Sequence, residues 1–349
     1  MSETPIDLNH ALPQDVLADC PAFQLRATPG DFSNWLFSHE AIQKPSVFRY
    51  LSYLKSLFEL AHGIGEIYDL RSPPGSFGGK NHLRHIGSTE MMFLVNHLYI
   101  LDSFDVSGDV LECGASHGYS TCVLSQACAR LHRTLVVADS FEGLPPTRAD
   151  QTFFRQGDYA ASVESVREPL LQLGRSEAVT LIKGFYSDSL RDFQKEICML
   201  WLDVDLYESA QDVLTSVFKH LNPAGMIATH EFTDFHNRPH TLDEKCPPGA
   251  IFQAFERAGL AYHPVHLMRY LGMVGGPRSI QMDSGRLLPY LLKKLAMMDH
   301  RWRFYQELKD SNTVRWAFRL KKLLPFRKTE VDNPAAPMYV DALTAAEKR

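Results

Sequence analysis

The chain has 349 residues, of which 45% are hydrophobic and 22% charged, with a net charge of −5 at pH 7. These proportions are typical of a globular protein with one large domain or two small ones. The negative charge argues against a dedicated nucleic-acid-binding protein, and no apolar run approaches the roughly 18 residues that span a bilayer. Residues 1–5 lack signal-peptide features and the six cysteines contain no Cys-x-x-Cys pair, so we expect a cytoplasmic protein.

Residues 1–79 are predicted to form a helical extension, with one helix over Val47 to His62. The cluster Ser72-Pro-Pro-Gly75 predicts a loop that ends this part of the chain. The glycine-rich segment Phe77-Gly-Gly-Lys-Asn-His82 follows it. This segment is either a lid or a linker.

Strand-like and helix-like runs alternate over residues 80–280. The strand-like runs are residues 109–113, 134–138, 178–183, 197–203 and 225–229. This alternation predicts a doubly wound, Rossmann-like α/β sheet. Two further short runs, Ala261 to His266 and Tyr270 to Val274, predict an antiparallel hairpin at one edge.

The first strand ends in a turn with the pattern Glu-x-Gly-x-x-x-Gly, formed by Glu112, Gly114 and Gly118, and the second strand ends in Asp139. Such a unit leaves a ligand crevice at the carboxyl ends of parallel strands. Ser116 stands where a dinucleotide site needs its middle glycine, and Glu112 would repel a phosphate. S-adenosylmethionine, which is cationic and has no phosphate, fits this pattern better. An ordinary strand, turn and helix without a ligand is the alternative.

A second group of polar residues follows two later strands. Asp203 and Asp205 end one strand, and His230 and Glu231 end the next. Because these are neighbouring parallel strands, we expect the side chains at the same edge as the glycine turn. Residues two apart on a strand share a face, so both aspartates can face the crevice. Alternatively, the aspartates cap the next helix.

Three runs carry a family resemblance: Ala138-Asp-Ser-Phe-Glu-Gly-Leu-Pro-Pro146, Gly184-Phe-Tyr-Ser-Asp-Ser-Leu190 and Leu202-Asp-Val-Asp-Leu-Tyr-Glu-Ser209. Over roughly residues 80–275 the chain resembles the macrocin O-methyltransferase (TylF-like) family of S-adenosylmethionine-dependent sugar methyltransferases. The resemblance implies a seven-stranded methyltransferase sheet with one antiparallel edge strand and S-adenosyl-L-methionine as cofactor.

We expect Glu112 near the amino acid end of this cofactor, Asp139 on its ribose and Phe141 against its adenine. The turn at Gly184 and Phe185 would close over the adenine. The complete predicted cofactor site is Glu112, Gly114, Ala115, Ser116, Gly118, Asp139, Ser140, Phe141, Gly184, Phe185 and Asp203.

The sequence departs from the family at its metal site. The resemblance implies a metal held by the first aspartate of Asp-x-Asp and by an Asp-Asp pair after the next strand. Asp203 matches the first position, but His230 and Glu231 replace the pair. Magnesium prefers oxygen ligands, whereas imidazole suits transition metals. We predict a site of Asp203, His230 and Glu231 for magnesium or a transition metal; the alternatives are a weakened magnesium site with His230 turned away, or no metal.

The predicted function is S-adenosylmethionine-dependent O-methylation of a small hydroxylated acceptor, a sugar or a glycosylated natural product. Asp205 is the candidate general base, His230 is the alternative base and Asp203 is the candidate metal ligand. A nicotinamide-dependent oxidoreductase is one alternative, against which Ser116 argues. The other is a non-catalytic S-adenosylmethionine-binding protein in which His230 has disabled the metal site.

Residues 281–349 predict a basic helical extension, with helices over Leu287 to Leu308 and Val314 to Leu324. We expect these helices to pack on the core or on a second subunit of a homo-oligomer. A surface that binds a membrane or a partner is the alternative. The polar residues from Glu330 onward predict a mobile tail.

Overall fold

The computed structural model describes residues 45–76, 79–103, 105–147, 153–232, 246–268, 270–276 and 279. The helices and tail predicted for residues 281–349 lie outside the described residues, as does most of the 1–79 extension. Within the described part, no helix is both long enough and apolar enough to span a membrane.

Two helices precede the first strand. Helix α1 spans Pro45–Arg71 and α2 spans Ser88–Ser103. The predicted helix over 47–62 is therefore correct but too short, since α1 continues to Arg71. It ends just before Pro73 and Pro74, which lack the N–H groups that a helix needs. Both helices pack into the hydrophobic core.

The sheet has seven strands in the order β3-β2-β1-β4-β5-β7-β6. The strands are β1 Asp109–Cys113, β2 Leu135–Asp139, β3 Val179–Lys183, β4 Ile197–Leu202, β5 Leu221–Thr229, β6 His263–Met268 and β7 Leu271–Gly275. Strands β1 to β5 pair in parallel, and β7 pairs antiparallel with both β5 and β6. The predicted doubly wound sheet with one antiparallel strand is confirmed, with that strand one place in from the edge.

The remaining helices lie between the strands along the chain. They are α3 Tyr119–Arg130, α4 Val163–Leu173, the one-turn α5 Tyr186–Ser189, α6 Tyr207–Val217 and α7 Pro247–Arg257. Alternate residues of the strands enter two hydrophobic clusters: Val110 belongs to the one that includes α1, α2 and α3, and Leu111 to the one that includes α6 and α7. Burial on both faces explains why these strands read as continuous apolar runs.

The carboxyl ends of the parallel strands meet at one edge of the sheet, and β1 and β4 approach most closely there. The backbone N–H of Asp203 donates to the carbonyl of Cys113 at 2.9 Å. Gly114 has φ +94, and a Cβ added to it would lie 1.8 Å from the Asp203 carbonyl oxygen. The bend after β1 therefore has room for glycine only.

We predict that Gly114→Ala lowers the free energy of unfolding much more than Gly259→Ala does. Gly259 has φ +65 but nothing within 4 Å of an added Cβ. Its substitution should therefore cost only the backbone strain of about 1–3 kcal/mol. Gly114→Ala should cause a similar backbone strain and, in addition, a collision between its Cβ and the Asp203 carbonyl oxygen. Denaturant unfolding of both variants measures the difference, and equal losses would refute the collision.

Candidate active site

The carboxylate of Asp139 holds two loops at the crevice. Its Oδ2 accepts the backbone N–H of Ala115 at 2.7 Å and that of Ser116 at 3.3 Å, and its Oδ1 accepts the N–H of Phe141 at 2.7 Å. Burial raises the pKa of Asp139, and these donations oppose that rise. The side chain of Ser140 also interacts with this carboxylate. The ribose role of Asp139 stays a prediction.

Glu112 is fully buried and points under the first turn of α3. Its two oxygens accept the hydroxyls of Ser120 and Thr121, the latter at 2.8 Å. Burial raises the pKa of Glu112 to about 7. Its predicted place near the amino acid end of a cofactor is not tested by this geometry, which shows the carboxylate bonded to α3.

Three residues at the strand ends have left-handed backbone conformations, although none is glycine. Ser116 has φ 45, Phe141 has φ 55 and Asp205 has φ 59. Such conformations cost free energy and cluster at functional sites, because the surrounding structure has to enforce them. The three residues belong to the predicted cofactor site and the predicted base, so the strain lies where the sequence predicts function.

The other predicted cofactor residues lie at the same edge. Gly118 precedes the first residue of α3, and the N–H of Gly184 donates to the carbonyl of Asp139 at 3.0 Å. Phe185, beside it, is 39% exposed. The hydroxyl of Ser140 donates to the carbonyl of Gly143 at 2.8 Å, so this side chain stabilises its own turn.

Three carboxylates lie together after β4 and β5. Asp203 shares a hydrogen bond with Glu231, and the N–H of Asp205 donates to Glu231 Oε1 at 3.2 Å. The Thr229 hydroxyl donates to the other oxygen of Glu231. Burial raises the pKa of both aspartates, and the neighbouring carboxylates add to this rise, whereas the charge of His230 opposes it. We call Asp203, Asp205 and Glu231 the acid cluster; it holds protons more tightly than isolated carboxylates do.

His230 lies beside this cluster, and its Nε2 bonds a residue of α2. Its Nε2 lies 3.3 Å from Glu90 Oε1, and its ring packs edge-on against Trp201 and Tyr270. Glu90 is 2% exposed and also accepts the N–H of Gly87 at 2.7 Å. Burial lowers the pKa of His230, but the carboxylates of Glu90, Asp203 and Glu231 together outweigh that effect and raise the pKa to about 9. The pair therefore ties the end of β5 to the start of α2.

The predicted metal ligands do not fit a divalent cation in this arrangement. Among the described residues, no three His, Cys, Asp or Glu side chains are grouped so that they could hold a metal ion. Asp203 and Glu231 bond to each other, and His230 bonds to Glu90. The three metal ligands therefore stay a prediction.

Sequence reasoning missed several residues beside the crevice, among them Glu90. Glu90 stands out as a single carboxylate in the first turn of the apolar helix α2, which was an available signal. His85 and Tyr159 were also missed. Their rings lie 5.0 Å apart, and no spacing in the sequence relates two residues so far apart.

The seven-stranded sheet and its strand order are those of the class I methyltransferase fold. A family model described as Macrocin-O-methyltransferase (TylF) matches residues 81–244. The resemblance found in the sequence is thus confirmed over those residues, which match the macrocin O-methyltransferase family.

Two curated proteins and one solved structure are similar to the chain. The chain is 30% identical over 141 residues to "8-demethyl-8-(2,3-dimethoxy-alpha-L-rhamnosyl)-tetracenomycin-C 4'-O-methyltransferase" of Streptomyces olivaceus, covering 36% of this chain and 54% of that protein. It is 30% identical over 142 residues to "Demethyldecarbamoylnovobiocin O-methyltransferase" of Streptomyces niveus, covering 37% of this chain and 54% of that protein. The structure of the O-methyltransferase NovP superposes with a TM-score of 0.50 at 22% identity, over 63% of this chain and 96% of that one. The match thus spans about half of each curated relative, and the NovP likeness shows the fold alone.

We predict that Asp139→Ala lowers the affinity for S-adenosylmethionine roughly ten- to hundredfold, because it removes a charged hydrogen-bond acceptor worth about 1.5–3 kcal/mol. Asp109→Ala is the matched control: Asp109 begins β1 at the opposite edge and accepts the N–H of Thr134 at 2.9 Å. Calorimetry should show unchanged affinity for the control. Unchanged affinity in Asp139→Ala would remove Asp139 from the cofactor site.

Proposed function

We propose that the protein transfers a methyl group from S-adenosylmethionine to a hydroxyl of a small acceptor, a sugar or a glycosylated natural product. We call residues 114–118 the glycine loop. The observation that carries the proposal is that the acid cluster lies at the same sheet edge as this loop, which is held by Asp139. The names of the two curated relatives, a methyltransferase of a rhamnosyl tetracenomycin and one of a novobiocin precursor, support this acceptor class.

The residues of the glycine loop fit such a cofactor. Gly114 lets the loop after β1 pack against the backbone of Asp203, and Asp139 ends β2 beside this loop, where its carboxylate can accept a ribose hydroxyl. Ala115 and Ser116 offer no cationic group for a phosphate. The bound cofactor would supply an electrophilic methyl group on a sulfonium. The chain's own contribution is to hold the acceptor in line with that group and to remove its proton.

Asp205 is the proposed general base. A sugar hydroxyl is a poor nucleophile near neutral pH, so its proton has to be accepted as the new bond forms. Burial and the Glu231 carboxylate raise the pKa of Asp205, which makes it a stronger base than a solvated aspartate. His230 is the second choice, because its Nε2 already contacts Glu90.

Asp205→Asn should lower the turnover number about 10²–10⁴-fold and leave the affinity for S-adenosylmethionine nearly unchanged. Asparagine tolerates the left-handed φ of 59 at this position, so the loop should keep its shape. Asp212→Asn, on the exposed side of α6, is the control and should keep full activity. Release of S-adenosylhomocysteine with a panel of neutral glycosides measures turnover.

Two outcomes of that assay would change the assignment. A fully active Asp205→Asn with an inactive His230→Ala would assign the base to His230. Wild-type protein that binds S-adenosylmethionine and methylates no hydroxyl would contradict the proposed activity, and would favour a non-catalytic member of the family.

We also expect methyl transfer to survive treatment with EDTA. The side chains that would bind a metal are already bonded to other residues, His230 to Glu90 and Asp203 to Glu231. Elemental analysis has to confirm that the treated protein carries no metal. Activity that disappears with EDTA and returns with manganese or zinc would show that these side chains rearrange to bind a metal.

A further inference from the structure

A segment before α2 and a loop after β2 are fastened together beside the crevice. Lys80 Nζ donates to the carbonyl of Phe153 at 2.6 Å and to the carboxylate of Asp158. The ammonium also lies 4.7 Å from the centroid of the Phe153 ring. Asp158 accepts the N–H of Arg155 at 2.7 Å, which closes the loop. The charge of Lys80 is thereby neutralised within the protein.

Two rings of these segments form what we call the aromatic wall, His85 and Tyr159. Their centroids are 5.0 Å apart and their planes cross at 82°. Tyr159 is half-buried with φ 60, a conformation that is strained for a bulky residue. His85 is partly open to solvent, and its ring packs edge-on against the buried His82, whose Nε2 lies 3.1 Å from Asp69 Oδ1. The wall is thus held in place from both sides.

The wall lies within electrostatic range of the acid cluster and of His117, which follows Ser116. Burial raises the pKa of Tyr159 well above its usual range, and the charges of Asp205 and Asp203 raise it further. Burial, and the nearby His82 and His117, lower the pKa of His85 to about 4. At neutral pH the wall is therefore an uncharged surface with one phenolic donor. Among the described residues, the Tyr159 ring contacts His85 and Phe154, and no side chain bonds its hydroxyl.

We propose that His85 and Tyr159 bind the acceptor, and that they select an uncharged, hydroxylated ring that rests its C–H face on the aromatic wall. This inference rests on the proposed function and specifies its substrate. Aromatic rings supply rigid apolar contact area, and the Tyr159 hydroxyl can donate to one acceptor oxygen while another faces Asp205. The acid cluster would disfavour an anionic acceptor. Lys80 would not offset this effect, because its ammonium is already paired with Asp158.

The test uses a neutral aryl rhamnoside that the wild-type protein methylates, with calorimetry on protein saturated with S-adenosylhomocysteine. Tyr159→Phe keeps the ring and removes one hydrogen bond, so the Kd and KM for the acceptor should rise about two- to tenfold. Tyr159→Ala and His85→Ala remove stacking area and should raise both further. All three variants should bind S-adenosylhomocysteine as the wild type does.

Tyr262→Phe is the matched control, because Tyr262 bonds Glu256 at 3.2 Å and lies on another element. It should leave Kd and KM unchanged. A carboxyphenyl rhamnoside, which adds one negative charge, should bind at least tenfold more weakly than its neutral partner. Unchanged acceptor affinity in Tyr159→Ala and His85→Ala, or equal affinity for the charged rhamnoside, would contradict acceptor binding by the aromatic wall. Neither result would contradict the proposed methyltransferase activity. A wild type that methylates no neutral glycoside would overturn both.

Discussion

The site depends on the close approach of two strand ends, where the bend at Gly114 packs against the backbone of Asp203. That contact leaves no room for a side chain on the bend. It joins the glycine loop, which Asp139 holds through the backbone N–H groups of Ala115 and Ser116, to the acid cluster after β4 and β5. A methyl donor and a hydroxyl acceptor have to meet within one crevice, and this contact brings their proposed binding residues together.

Much of the fold was predictable from the sequence, because burial on both faces gives the parallel strands continuous apolar runs bounded by turns. The polar strand ends, Asp139, Asp203 and His230, were predictable for the same reason: each follows such a run. The ends of α1 and β5 were less predictable. Strand β5 begins at Leu221, four residues before the predicted start at residue 225.

The details of the site were not predictable, because they depend on contacts between distant parts of the chain. His230 and Glu231 are adjacent, and their position suggested a shared metal. The structure instead pairs His230 with Glu90, 140 residues earlier, and Glu231 with Asp203. The buried Glu112 likewise bonds the hydroxyls of α3. Sequence patterns place such residues at an edge of the sheet, but only packing decides which partner each side chain takes.

The central claim is that one crevice holds the methyl donor on the glycine loop and the acceptor hydroxyl at the acid cluster. A crystal structure with S-adenosylhomocysteine and a neutral glycoside tests it most directly. We predict a ribose hydroxyl bonded to Asp139 and an acceptor hydroxyl within hydrogen-bonding distance of Asp205, with the glycoside ring against Tyr159. A glycoside bound elsewhere, or a ribose without contact to Asp139, would contradict this account.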